Sequence, residues 1–124
     1  MARIVVADPD TLTARLLTDQ LQRAGHKAVY CATAEQAFAA CAEAPTACLV
    51  TELLLPDFNG VALLQLLQSY PELAAIKAIV VSTVPRSEVG LSRRAWREYG
   101  VVDYVSKLLT KPGAIAQRII RNIS

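Results

Sequence analysis

The chain has 124 residues, of which 53% are hydrophobic and 19% charged, and its formal net charge is +2 at pH 7. This size predicts one domain, residues 1–124, with enough apolar content for a packed core, and argues against a second folded domain. The small net charge is not the concentrated basic excess of a nucleic-acid surface. No apolar stretch approaches the roughly 20 residues of a membrane span and no secretory leader opens the chain, so we expect a cytoplasmic protein.

The strands are predicted from short, apolar and β-branched runs that alternate with longer segments of helical character. This alternation is typical of repeated βα units around a parallel sheet. Several runs lack polar alternates, which indicates strands covered by helices on both faces. The strand candidates are Arg3–Ala7, Lys27–Cys31, Ala47–Glu52, Ala78–Ser82 and Asp103–Ser106.

Five helices are predicted from caps, breakers and apolar spacing. The fourth has a glycine, Gly90, inside it, which costs about 1 kcal/mol relative to alanine. The helix candidates are Asp10–Ala24, ended by Gly25; a helix opened by the capping pair Thr33 and Gln36 and ended by Pro45; one from Asn59 or Gly60 to before Pro71; Ser87–Tyr99; and one from Pro112 to the C-terminus.

Three cysteines, Cys31, Cys41 and Cys48, lie among apolar residues. Their number is odd and no CxxC spacing occurs, so neither a disulfide framework nor a metal motif is indicated. We therefore expect buried, reduced thiols.

The carboxyl ends of four predicted strands supply polar side chains: Asp8, Glu52, Ser82 and Lys107. In a doubly wound parallel sheet, a ligand crevice lies outside the carboxyl ends of the strands. Two acids, a hydroxyl and an amine are therefore expected to converge at one sheet edge.

With these residues in place, the chain resembles the receiver domain of bacterial response regulators over essentially its whole length. RIVVADPD stands at the family's acidic pair, ELLLPDFNG at its phosphoacceptor loop, and AIVVS and YVSK at its switch hydroxyl and lysine. The resemblance implies a flavodoxin-like (βα)5 fold with strand order 2-1-3-4-5. It also implies that Glu52 stands at the phosphoacceptor position, Lys107 at the phosphate-contacting lysine, Ser82 at the switch hydroxyl and Tyr104 at the switch aromatic.

The departures from the family pattern affect the chemistry. Pro9 replaces a carboxylate that binds magnesium in the family, and phosphoryl transfer depends on that metal. Glu52 is longer than the family's aspartate by one methylene, which displaces its carboxylate by roughly 1 Å and can cost about a hundredfold in rate. Thr83 replaces a small residue after Ser82, and Leu108 replaces a proline. We therefore expect weak or absent magnesium binding and no other cofactor.

Three acids have alternative interpretations. Glu52 is either an exposed loop carboxylate or, as we favour, the partner of Lys107 in a permanent ion pair that replaces part of the charge of a phosphoryl group. Asp10 is either a substitute metal ligand or, as we favour, the cap of the first helix. Asp57 is either an alternative phosphoacceptor or, as we favour, an exposed side chain that the resemblance points away from the pocket.

A basic and aromatic cluster on and near the fourth helix is the candidate partner surface. It contains Arg93, Arg97, Trp96 and Tyr99, with Arg86 and Arg94 nearby. Such a cluster is either a solvated face or a binding surface, and tryptophan, tyrosine and arginine are enriched at binding hot spots. The resemblance implies partner contacts, or a homodimer, through the face made by the fourth helix, fifth strand and fifth helix. Tyr104 is expected to belong to this face, and Trp96 is the first candidate for a direct partner contact.

The sequence thus predicts a pseudo-receiver that acts through protein–protein interaction, is not an enzyme and does not use a membrane. The alternatives are a weakly phosphorylatable receiver that uses Asp8 and Asp10 for metal, and the N-terminal receiver of a longer regulator. Nucleic acid would then be contacted only through an output domain that this sequence does not contain. A flavodoxin-type binder is disfavoured, because no glycine-rich phosphate loop follows the first strand.

Overall fold

The computed structural model describes residues 1–124 as a five-stranded parallel sheet of order β2-β1-β3-β4-β5. Both the doubly wound α/β class and the strand order agree with the prediction. The strands and helices follow one another along the chain as β1 (Arg3–Ala7), α1 (Thr11–Arg23), β2 (Lys27–Cys31), α2 (Ala34–Glu43), β3 (Cys48–Thr51), α3 (Gly60–Gln68), β4 (Lys77–Ser82), α4 (Arg86–Val89), α5 (Arg93–Glu98), β5 (Val101–Ser106) and α6 (Pro112–Ile123). No helix has the length and apolar character that a bilayer crossing would need.

The sheet separates two hydrophobic layers, because successive side chains of a strand point to opposite faces. In β1, Val5 and Ala7 pack into the layer that contains α2 and α3. Their neighbours Ile4 and Val6 pack into the layer that contains α1 and α6. Both faces are therefore covered, as the continuous apolar runs predicted.

The three cysteines are free and buried, as expected. Burial raises the pKa of Cys41 to about 12 and that of Cys48 to about 12. These thiols remain protonated at neutral pH, so they behave as small core residues rather than as nucleophiles.

The single helix predicted over Ser87–Tyr99 is wrong, since two short helices occupy that segment. Gly90 has a φ of +79°, a left-handed conformation that ends α4 and suits glycine. Ser92 then begins α5 by accepting a hydrogen bond from the backbone N–H of Ala95 at 3.1 Å. The chain therefore has six helices, and what was predicted as the fifth helix is α6.

The other boundaries differ from the predictions by one or two residues. Strand β3 is shorter than predicted and leaves Glu52 just beyond its end, while β5 begins at Val101 rather than Asp103. The irregular pairing between β4 and β5 at Ala78 and Ile79 accompanies this longer β5. These shifts keep Glu52 and Lys107 at the carboxyl edge of the sheet.

Candidate functional site

A buried acid pair, Asp8 and Glu52, lies at the carboxyl edge of β1 and β3. Each side chain is only 4% exposed, and both contact the ammonium group of Lys107, which follows β5. Lys107 Nζ lies 2.7 Å from Asp8 Oδ2 and 3.0 Å from Glu52 Oε1. The predicted Glu52–Lys107 ion pair is therefore present, and Asp8 shares the same cation.

Glu52 is held at both carboxylate oxygens. Its Oε2 accepts hydrogen bonds from the backbone N–H groups of Leu53 at 2.6 Å and Leu54 at 3.3 Å. Its Oε1 accepts a bond from the Thr83 backbone N–H at 3.4 Å in addition to the Lys107 contact. The carboxylate thus folds back onto its own loop, which the extra methylene makes possible.

The electrostatics of the two acids differ. Burial acts to raise the pKa of Glu52, but hydrogen bonds from Ser82 and Lys107 outweigh it, and the pKa lies below its usual value. Burial also raises the pKa of Asp8, and the opposing effect of the Lys107 contact is too small to bring the pKa back to its usual value. The pKa of Lys107 is raised, because its contacts with both acids outweigh the effect of burial.

Pro9 and Asp10 shape the β1–α1 turn beside this pair. Asp8 Oδ1 accepts a hydrogen bond from the Asp10 backbone N–H at 2.8 Å. Asp10 itself caps α1 by accepting bonds from the backbone N–H groups of Leu12 and Thr13, so the capping prediction is confirmed. The Asp10 carboxylate is therefore directed to the helix start, and Pro9 offers no side-chain oxygen.

Gly60 sets the shape of the β3–α3 loop that carries Glu52. A Cβ at this position would lie 2.6 Å from the Glu52 carbonyl oxygen and 2.9 Å from Leu53 Cα. The Gly60 N–H also donates to the Leu53 carbonyl at 2.9 Å. Helix α3 therefore begins against the backbone of the acid-bearing loop, at a distance that only glycine permits.

Asp57 lies in the same loop, exposed and away from Lys107, as predicted, but it has a structural partner that the sequence did not indicate. Its carboxylate accepts the backbone N–H groups of Ala34 at 2.9 Å and Glu35 at 3.0 Å at the start of α2. These bonds, first that of Glu35, lower the pKa of Asp57. Asp57 therefore fastens the loop to α2.

Ser82 and Tyr104 occupy the positions expected of the switch pair. Ser82 is fully buried, and its hydroxyl oxygen accepts the Val84 backbone N–H at 3.0 Å. The Tyr104 hydroxyl donates to the Val84 carbonyl at 2.5 Å. The β4–α4 loop is thus connected to both side chains.

Trp96 requires a correction, because it was expected to contact partners directly. It is only 3% exposed and belongs to the core, with its ring centroid 5.4 Å from that of Tyr104 in an edge-to-face arrangement. Arg93 and Arg97 are exposed and Tyr99 is half-buried, with its hydroxyl bound by Gln65. The surface above Trp96 is therefore formed by arginines.

Leu108 follows Lys107 through a trans peptide bond, since the structure contains no cis bond. Both Leu108 and Leu109 are exposed in the β5–α6 loop. The last helix begins at Pro112, as predicted.

The order of the strands, with polar side chains at the carboxyl edge, defines a flavodoxin-like doubly wound fold. The family model described as the response regulator receiver domain matches residues 4–120. The chain therefore belongs to the response regulator receiver family and is a receiver domain of two-component signalling.

Solved structures agree in fold. A CheY-like receiver domain protein from Methanospirillum hungatei JF-1 is 21% identical, with 99% of this chain and 94% of that chain covered and a TM-score of 0.83. The chemotaxis response regulator CheY4 of Vibrio cholerae is 16% identical, with 98% of each chain covered and a TM-score of 0.84. A sensor protein from Polaromonas sp. JS666 is 26% identical, with 99% and 98% covered and a TM-score of 0.82. A comparison with curated proteins gives no significant match.

Proposed function

We propose that this receiver domain is a cytoplasmic pseudo-receiver, a non-enzymatic signalling module that is not phosphorylated by the magnesium-dependent route. The observation that supports it is the position of the Lys107 ammonium group, within 3.0 Å of both Asp8 and Glu52. A covalently attached cation there supplies part of the positive charge that a divalent ion would otherwise bring. Of the two acids, Glu52 is the one held as a carboxylate, since its pKa is lowered.

The donor set does not fit the magnesium ion that the family uses. Mg²⁺ prefers octahedral oxygen coordination at about 2.0–2.1 Å. Here Pro9 offers no oxygen donor, the Asp10 carboxylate caps α1, and no group of three or more His, Cys, Asp or Glu side chains is arranged for a metal. Moving Glu52 toward a metal would also break its bonds to Leu53 and Leu54.

Incubation with acetyl phosphate and magnesium, followed by intact mass measurement, tests the proposal. We expect the natural chain to remain unmodified. The double variant Pro9→Asp, Glu52→Asp restores the family's acids and is expected to gain one phosphoryl group. The matched double variant Pro9→Ala, Glu52→Gln is expected to stay unmodified. A substantial phosphorylated population of the natural chain would overturn the proposal.

Signal output would then proceed through protein contacts at the face formed by α4, α5, β5 and α6. Arg93 and Arg97 are exposed there, and Tyr99 and Tyr104 are half-buried. Partner capture with the Arg93→Ala, Arg97→Ala variant should be weaker than with Arg94→Ala, whose side chain is engaged by Glu98. Sedimentation of the same variants tests a homodimer through this face. Equal capture by both variants would contradict this assignment.

A further inference from the structure

A second cleft, the arginine cleft, is lined by residues of α4, α5, β5 and α6, and its lining contains neither Asp8 nor Glu52. Its volume is about 360 Å³, and its lining includes Arg86, Arg93, Arg97, Arg118, Trp96 and Tyr104. This volume falls within the roughly 300–1,000 Å³ of small-molecule sites. The cleft is therefore large enough for a compact ligand.

The charges of the arginine cleft are unbalanced. Arg118 is paired with Asp103, which is the only acid in the lining. Arg86, Arg93 and Arg97 have no carboxylate partner within ion-pair distance. The lining thus carries an excess of three positive charges. Positive charges that line a concave surface raise the local concentration of anions.

Trp96 adds a second, independent observation. Its indole Nε1 is the only buried side-chain nitrogen or oxygen in the structure without a hydrogen-bond partner. A buried donor without an acceptor is costly, and such groups in native proteins are uncommon. Trp96 is 97% buried and lines the arginine cleft, so the unmet donor belongs to a residue of the same cleft.

We propose that the arginine cleft binds a small ligand that carries linked phosphate groups. Guanidinium groups match phosphate oxygens with paired hydrogen bonds, and they remain charged at all physiological pH values. Val101 and Tyr104 supply an apolar wall for the organic part of such a ligand.

The density of charge favours a phosphate ligand over an acidic peptide. Three unpaired arginines surround a space of about 360 Å³, and two linked phosphates place several negative charges within that space. An extended peptide advances about 3.3 Å per residue and points successive side chains to opposite sides. Few of its carboxylates would therefore enter the cleft together.

This site is independent of the proposed loss of phosphorylation, because it uses neither Glu52 nor Lys107. Anion binding is tested with variants of Arg93 and Arg97, and phosphorylation with variants of Pro9 and Glu52. Failure of the ligand proposal would therefore leave the proposed loss of phosphorylation unaffected, and the reverse also holds. An anion in the cleft would also neutralise Arg93 and Arg97, and would change the surface that a protein partner meets.

Trp96 is the only tryptophan of the chain, so its emission reports on the cleft directly. The probe is inorganic pyrophosphate, which does not absorb at the excitation wavelength, titrated at constant ionic strength. We expect a saturable change in emission with one site, and the same Kd by calorimetry. Chloride at the same ionic strength should give no saturable change.

Arg93→Ala combined with Arg97→Ala should raise the Kd by about tenfold for each arginine removed. Arg94→Ala is the matched control, because Arg94 lies in the same helix, pairs with Glu98 and does not line the cleft. All three residues are exposed, so the variants should fold, which circular dichroism checks.

Three results would overturn the proposal. The first is the absence of saturable binding by both fluorescence and calorimetry. The second is equal weakening by the double variant and by Arg94→Ala, which would indicate general surface charge. The third is tighter binding of an octaglutamate peptide than of pyrophosphate, which would assign the cleft to an acidic protein segment instead.

Discussion

Lys107 Nζ lies 2.7 Å from Asp8 Oδ2, and this is the shorter of the two ion pairs that the lysine makes. The residue that follows β5 is therefore bound to the residue that follows β1, although the two lie 99 positions apart in the chain. Because both side chains are nearly buried, water screens this pair poorly. The pair therefore links β1 and β5 across the carboxyl edge of the sheet.

Removing the cation should destabilise the domain. Lys107→Met leaves two buried carboxylates without their cation, and we expect a loss of about 3–5 kcal/mol in the free energy of unfolding at pH 7.5. The loss should shrink at pH 5, because carboxyls without their cation have raised pKa values in the folded state and become neutral there. Urea denaturation at both pH values measures this.

Lys111→Met is the matched control for that experiment. Lys111 is exposed, and its side chain has neither an ion pair nor a hydrogen bond. Its replacement should leave the urea midpoint unchanged at both pH values. An equal loss of stability in both variants would argue that overall charge, rather than the buried ion pairs, is responsible.

Acidification should weaken the natural chain through Glu52. The pKa of Glu52 is lowered on folding, so its contribution is fully present above the ordinary value of 4.5 and is lost as the pH falls through the folded value. Glu52→Gln lacks this contribution at every pH. The difference in unfolding free energy between the natural chain and Glu52→Gln should therefore decrease between about pH 6 and pH 3. A constant difference would contradict the assignment of the ion pair.

Gly60→Ala should be destabilising by about 1–3 kcal/mol, because the added Cβ meets the Glu52 carbonyl and the Leu53 backbone. Gly113→Ala is the control. It lies in α6 with open space around its Cβ position, and we expect a gain of up to about 1 kcal/mol from the better helix former. Thermal unfolding of both variants distinguishes the two effects. If Gly60→Ala did not lower the unfolding temperature, the loop would have adapted to the added Cβ and the prediction would be wrong.

Asp57→Ala should open the start of α2 locally. The backbone N–H groups of Ala34 and Glu35 would lose their acceptor, so their amide hydrogens should exchange faster. Amides in the middle of α3 serve as the internal reference. Unchanged exchange rates at both N–H groups would show that Asp57 does not stabilise the start of α2.

The sequence was sufficient for the sheet and for most of the acid site. Apolar runs placed β1 and β2 with the observed bounds, and the unbroken run of β1 reflects a strand covered on both faces. The Glu52–Lys107 ion pair followed from the rule that the carboxyl ends of parallel strands share an edge. The role of Asp10 followed from its place before the first helix.

The features that the sequence did not predict depend on distance and on competition between interactions. Asp8 was predicted to lie at the same sheet edge as Lys107, but the ion pair between them was not predicted. Asp57 binds the start of α2, 23 positions away in the chain. Gly90 was recognised as a weak point, but only its left-handed φ decided that the helix ends there. Tryptophan is a residue type enriched at binding hot spots. The ring of Trp96 is nevertheless buried beside Tyr104, because a large aromatic side chain gains more from packing than from exposure.

Under the proposed function, the ion pairs of Lys107 also bear on how long a signal from this domain would last. A phosphoryl group on a carboxylate is hydrolysed with time, and its loss returns the protein to the unmodified state. Lys107 is part of the polypeptide and is neither added nor removed. Under the proposed function no phosphoryl group would reset the domain, and the duration of a signal would be set by how long a partner stays bound and by the lifetime of the chain.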